Sequence, residues 1–176
     1  MNNDPSNNPY SVGSQLDGGG TTPQASVRSM QIVASALMAG VLFFAAIVAV
    51  VTGSKLNGQP DVLTWMGGAF AAVAVVIHFV LPPMIAKKSW EQAIANGLRQ
   101  KSESEQIQHA MNDYQSQLIV GHALLEGAAF MNLTVLIAGR SVINLGVVIA
   151  LLVLMLIRFP TTTKVTWWIQ DRLRQR

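Results

Sequence analysis

Residues 30–51 form an unbroken run of 22 residues without a charge, in which Gln31 and Ser35 are the only clearly polar side chains. A helix rising about 1.5 Å per residue needs about 20 such residues to cross about 30 Å of hydrocarbon, with its backbone hydrogen bonds satisfied internally. The run therefore predicts a membrane span, and three more follow by the same accounting. Residues 62–86 make the second and contain His78 and the pair Pro82-Pro83, whose missing amide donors predict a kink near one end. Residues 118–139 make the third and most polar, with His122, Glu126 and Asn132, and residues 142–159 the fourth, ended by Arg158 and Pro160. A hydrophobic share of 51% against 12% charged residues excludes an ordinary soluble globule.

The segments between the spans differ in kind. Residues 1–28 are rich in Asn, Ser, Gly and Thr and predict a disordered tail, because they offer too little apolar surface to offset ordering entropy. The apolar run starts late and continues to full span length, so the first span is expected to be retained rather than cleaved as a signal peptide. Residues 52–61, with Gly53, Gly58 and Pro60, make a short return loop, and Arg140-Ser141 a shorter one. Residues 87–117 carry four basic and four acidic residues and belong in water. Trp90, Ile94 and Leu98 recur at helical spacing there, as do Ile107, Ala110, Met111, Tyr114 and Leu118, so two apolar stripes are expected to pack together as a helical hairpin. Asn96-Gly97 supplies a helix stop, and Ser102 with Glu105 has capping-box spacing.

The resulting fold class is all-α, a four-helix transmembrane bundle with a cytoplasmic helical hairpin between spans two and three. Residues 161–176 form an interfacial basic segment, in which Trp167 and Trp168 with Arg172 and Arg174 suit the boundary between lipid and water. With four spans, ten of the twelve lysines and arginines fall on one side, leaving Lys55 and Arg140 on the other, so both termini are expected in the cytoplasm. The net charge of +3 is thus an orientation signal and a contact with anionic head groups, not a nucleic-acid footprint.

Glu126 is the residue that asks most for an explanation. A carboxylate near mid-bilayer is neutral, paired or beside water, and is a functional candidate by default. His122 lies one turn earlier on the same face. Counted inward from the charged boundaries, His78 and Glu126 both lie about 12 Å deep, so antiparallel neighbours would bring them level. His78, His122 and Glu126 are therefore a candidate cluster, either carrying a proton or cation or hydrogen-bonding between helices to fix packing register. A bis-histidine haem between His78 and His122 needs both to face one gap, and HxxxE is not the ExxH spacing of helical di-iron sites, so no cofactor and no metal are expected. His109 and Asp113, also one turn apart, are expected on a solvated face of the hairpin. Ala36 with Gly40, Gly68 with Ala72, and Ala123 with Gly127 have the spacing of close helix contacts, within a compact bundle, a homo-oligomer or a complex with another membrane protein. No phosphate-binding loop, dinucleotide fingerprint, GxSxG or HExxH occurs, and the chain has no cysteine, so a non-enzymatic membrane module is expected.

Residues 119–138, reading IVGHALLEGAAFMNLTVLIA, resemble the second helix of the proteolipid (c) subunits of rotary ATP synthases. Glu126 falls where that family carries its proton or sodium ion, and Leu98-Arg99-Gln100 is faintly similar to the family's Arg-Gln loop. The resemblance implies that an acid in this setting can be an ion carrier. Asn8-Pro9-Tyr10 in a polar tail looks like a segment preceding the first span of many small bacterial membrane proteins, which implies a bacterial inner membrane.

Overall fold

The computed structural model describes residues 23–53, 56 and 59–174. Among them are five α-helices and no strand: α1 (Pro23–Thr52), α2 (Val62–Ala95), α3 (Glu103–Gly139), α4 (Val142–Ile157) and α5 (Thr162–Arg174). Each of α1, α2 and α3 is long and apolar enough to cross a membrane, whereas α4 and α5 meet that requirement only as a pair bent by 65°. The chain is thus an integral membrane protein, with three to four helices of spanning length and composition among the described residues. At 16 residues α4 is about 24 Å long, which falls short of about 30 Å of hydrocarbon.

Local chemistry explains most of the helix ends. Asp61 caps α2, its Oδ1 accepting from the Thr64 amide at 2.7 Å and the Thr64 hydroxyl at 2.6 Å. The helix then runs without interruption through Pro82 and Pro83 to Ala95, and Gly97, at φ 85°, turns the chain as only glycine does easily. A 3₁₀ turn over Leu98–Gln100 leads to Ser102, whose capping box with Glu105 starts α3. Arg140, in the left-handed region at φ 53°, ends α3, and Ser141 caps α4.

The disordered tail expected over residues 1–28 is corrected for residues 23–28 alone. Residues 1–22 lie outside the described residues, but α1 already begins at Pro23, well before the apolar run. Proline is suited to the first turn, and Val27 and Met30 bury themselves against Leu118 and Val165. A polar composition concealed that one-sided apolar face.

Helix α3 is the centre of the molecule and packs against each of the other four helices. Half of its apolar window is buried, against 17% for α1 and 28% for α2. The most polar span is therefore the one most shielded from lipid, as the cost of exposing polar groups to hydrocarbon requires. Leu125, Ala128, Ala129 and Leu133 of α3 meet Val41 and Val48 of α1, Ala71 and Ala74 of α2, and Val148, Leu151 and Met155 of α4. Trp65, Phe70, Val76 and Val80 of α2 point outward, as a lipid-facing surface requires.

Helices α2 and α3 form one antiparallel hairpin of constant register. Gly67 pairs with Asn132, His78 with Gly121, and Trp90 with His109, and all three pairs are centred on the same point between residues 99 and 100. The 3₁₀ turn at that point sets the register along the full length.

Helix α5 covers most of the segment expected at the membrane interface. It folds back on the polar ends of α2 and α3, with Trp168, Ile169 and Leu173 packed on Trp90, Leu98 and Ala110. The rings of Tyr114 and Trp168 meet edge to face at 5.4 Å. Lys164 Nζ donates to the carbonyls of Ile157 at 2.7 Å and Phe159 at 3.3 Å, and Gln31 Nε2 donates to Pro160 O at 3.1 Å, which fastens the bend. Trp167 remains 65% exposed.

Candidate functional site

Three polar side chains were expected to form one intramembrane cluster, and the structure brings together two of them. His78 of α2 is buried at 5% exposure, and its Nδ1 donates to the Gly121 carbonyl of α3 at 2.9 Å. A carbonyl only accepts, so that nitrogen carries the hydrogen. Glycine at 121 makes the contact possible, since a Cβ there would stand 3.0 Å from His78 Cε1. His122 is buried at 1% exposure, and its Nδ1 donates to the Leu118 carbonyl one turn back at 3.1 Å. The Met155 carbonyl of α4 faces the same ring but makes no hydrogen bond of good geometry with its Nε2.

Both histidines line a cavity of about 60 Å³ together with Pro82, Tyr114, Gln117, Leu118, Gly121 and Arg158. His78 Nε2, His122 Nε2 and Gln117 Oε1, on three of these residues, are buried without a hydrogen-bond partner. Buried polar atoms in native proteins are nearly always satisfied, so three orphans around one cavity are a signal. The Arg158 guanidinium stands at the end of α4, 5.0 Å from the Phe79 ring. The space suits one or two waters or a small polar group, and is too small for a haem macrocycle. Among the described residues no three of His, Asp and Glu converge as metal ligands.

Glu126 lies apart from this pair. It is partly buried and faces α1, where a Cβ on Gly40 would come 3.2 Å from its Oε1. Among the described residues its carboxylate has neither hydrogen bond nor ion pair. The expected levelling with His78 fails because depth was counted from the charged boundaries, whereas the turn at 98–100 fixes the register. His78 is level with Gly121, five residues short of Glu126, which is about 7.5 Å along the helix.

A second polar cluster sits nearer the hairpin turn, and it corrects the solvated face expected for His109 and Asp113. Asp113 is buried at 7% exposure. Its Oδ1 accepts from Ser89 Oγ at 2.7 Å, while Oδ2 stands 3.6 Å from His109 Nε2, and the Trp90 ring lies 6.0 Å from the imidazole. The serine bonds to the carboxylate rather than to the histidine, so the three side chains do not form a Ser-His-Asp relay.

A third cluster, in the other half, is structural. Asn132 Nδ2 donates to Gly67 O at 3.0 Å and Ala128 O at 2.9 Å, and Asn144 Nδ2 donates to Asn132 Oδ1 at 3.0 Å, which ties α2, α3 and α4 together. Of the small-residue pairs, Gly40 meets Glu126 across α1 and α3, whereas Gly68 and Gly127 face open space.

Three residues of the cavity escaped sequence reasoning as site candidates: Tyr114, Gln117 and Arg158. Gln117 and Tyr114 stand about one and two turns before His122 on α3, and that periodicity was the available signal for them. Nothing local marks Arg158, which arrives by the packing of α4. At the C-terminal segment, the guanidinium of Arg172 lies 5.0 Å over the Trp168 ring, Trp168 is turned toward Tyr114, and Trp167 and Arg174 point outward. No protein-family model, curated protein or solved structure matches this chain.

Proposed function

We propose that the chain is a four-span, non-enzymatic module of a bacterial inner membrane, with both termini and the α2–α3 hairpin in the cytoplasm, and that it presents the hairpin and α5 to a protein partner or to lipid. The observation that carries this reading is the unbroken helical register of α2 and α3, which joins the apolar spans rigidly to a polar tip. Helix α5 adds a third element to that tip through Trp168, Ile169 and Leu173. The intramembrane polar groups mostly bond between helices, as packing elements do. Lysine and arginine bias supports the orientation.

The absence of cysteine allows a direct test by single-cysteine variants. In intact cells an impermeant maleimide is expected to label Arg140→Cys and to spare Ser104→Cys until the membrane is opened. A photoreactive residue at Asn112 is then expected to give a discrete protein or lipid adduct. Reversed labelling, or no adduct from any tip position, would overturn the proposal.

A second reading has Glu126 as an ion carrier in a proton- or cation-coupled protein. It is favoured by the carboxylate's lack of a partner at the α1–α3 contact. In reconstituted vesicles it requires a proton or cation flux that Glu126→Gln abolishes. Equal flux from both proteins, or none from the wild type, removes it.

A further inference from the structure

The cavity beneath the α4–α5 bend has a charge character that packing does not require. Helix α2 contributes His78, α3 contributes His122 and Tyr114, and the end of α4 contributes Arg158, while α1 and α5 contribute no titratable side chain to the lining. One fixed positive charge, two imidazoles able to take a proton and a phenol therefore converge with no acid among them. With a guanidinium and no carboxylate, such a set favours an anion over a cation.

Hydrogen-bond roles narrow the ligand. Both Nδ1 atoms are committed as donors to the carbonyls of Gly121 and Leu118. Each neutral ring thus keeps its Nε2 lone pair; the His122 ring faces the Met155 carbonyl, so the buried, unpartnered Nε2 of His78 is the acceptor left for a ligand. A lining that holds an imidazole acceptor and a guanidinium suits a group with both an acidic O–H and a negative oxygen. A protonated phosphate has both. Its P–OH donates to an imidazole Nε2, or passes the proton to it, and its remaining oxygens accept from Arg158 and Tyr114. A cavity of about 60 Å³ has room for one such group. Arg158 is exposed and ends α4, where the apolar run gives way to Pro160, so the opening lies at the level of lipid head groups.

We propose that the cavity lined by His78, His122, Tyr114 and Arg158 binds one phosphate group, supplied by an anionic lipid head group or by free phosphate. Binding is linked to proton uptake, because the complex holds one proton more than the free phosphate dianion and neutral imidazoles that prevail at alkaline pH, and solvent supplies that proton to the ligand or to His78. It therefore strengthens as pH falls from alkaline toward mildly acidic values.

The test uses the full chain. Inorganic phosphate is titrated onto the detergent-solubilised protein at pH 8 and pH 6 by calorimetry, and nanodiscs of phosphatidylcholine with and without phosphatidic acid are compared by native mass spectrometry. Saturable 1:1 binding that is tighter at pH 6 is expected. Arg158→Gln should weaken it about tenfold, the scale of one lost charge-assisted hydrogen bond. His78→Gln should remove most of its pH dependence. Lys87→Gln, which removes a charge remote from the cavity, should bind like the wild type. Binding of phosphate alone identifies a solute, retention of phosphatidic acid alone identifies a lipid, and either supports the site. Binding of neither, or equal weakening by Arg158→Gln and Lys87→Gln, overturns it. Arg158 is at the surface, so its variant should fold normally, and an unchanged circular dichroism spectrum verifies this.

Discussion

Single residues in this protein do their work by letting polar groups approach where lipid offers them nothing. Gly67 and Gly121 each stand against a polar side chain so closely that a methyl group would collide. A Cβ on Gly67 would lie 2.9 Å from both Asn132 Oδ1 and Asn144 Nδ2. Gly67→Ala is therefore expected to break the asparagine network and to destabilise the fold by about 1 to 2 kcal/mol, since interhelical hydrogen bonds in membranes are individually modest and here two are disturbed. Gly68→Ala, one position on, meets open space and should be neutral or stabilising by up to about 1 kcal/mol through helix propensity. Unfolding of the two variants by steric trapping in bicelles measures the difference, and equal stabilities would refute the account. The sequence marked Gly68 rather than Gly67, because small-residue spacing identifies a face that can pack and not the one that does.

At the scale of elements, the helix ends were the most legible features and the fate of α5 the least. The stop at Asn96-Gly97 and the capping box of Ser102 with Glu105 depend on neighbours within a turn, so local sequence suffices to place them. Docking of α5 depends on Trp90, Leu98 and Ala110, which lie more than 50 residues away in the chain. Adjacent tryptophans beside arginines describe an interfacial helix equally well, and only the position of the hairpin decides which ring turns inward. The caps also carry a pH signature. Hydrogen bonds from the Ser102 hydroxyl and amide hold the Glu105 carboxyl below its ordinary range, and the Thr64 hydroxyl and amide do the same for Asp61. A carboxylate whose acidity is raised by folding contributes stability above its unfolded titration range, and loses that contribution as pH falls through its folded one. The first turns of α2 and α3 are therefore expected to fray on acidification below the usual carboxylate range. Amide protection at residues 103–106, corrected for intrinsic exchange, should drop there, and Glu105→Gln should remove the pH dependence of α3 while leaving that of α2.

For the whole molecule, four apolar segments and their order could be read from hydropathy, but their vertical alignment could not. Charged boundaries locate a helix in the bilayer only to within a turn or so, whereas a hairpin turn locks its two arms residue by residue. That difference separated Glu126 from His78 and brought Asp113 under the shelter of Ser89. The register is itself testable, because the chain has no native cysteine to interfere. Ser89 Oγ and Asp113 Oδ1 are 2.7 Å apart, so Ser89→Cys with Asp113→Cys should be joined efficiently by mild oxidation or a short bifunctional maleimide. Moving the second cysteine to Gln117, one turn along α3, separates the pair by about a further 6 Å and should abolish oxidative closure. A hairpin aligned by its charged boundaries would instead slide α3 by about a turn and favour the Gln117 position. Closure at 117 rather than 113 would therefore reject the alignment, and with it the cavity that depends on His78 and His122 meeting at Gly121.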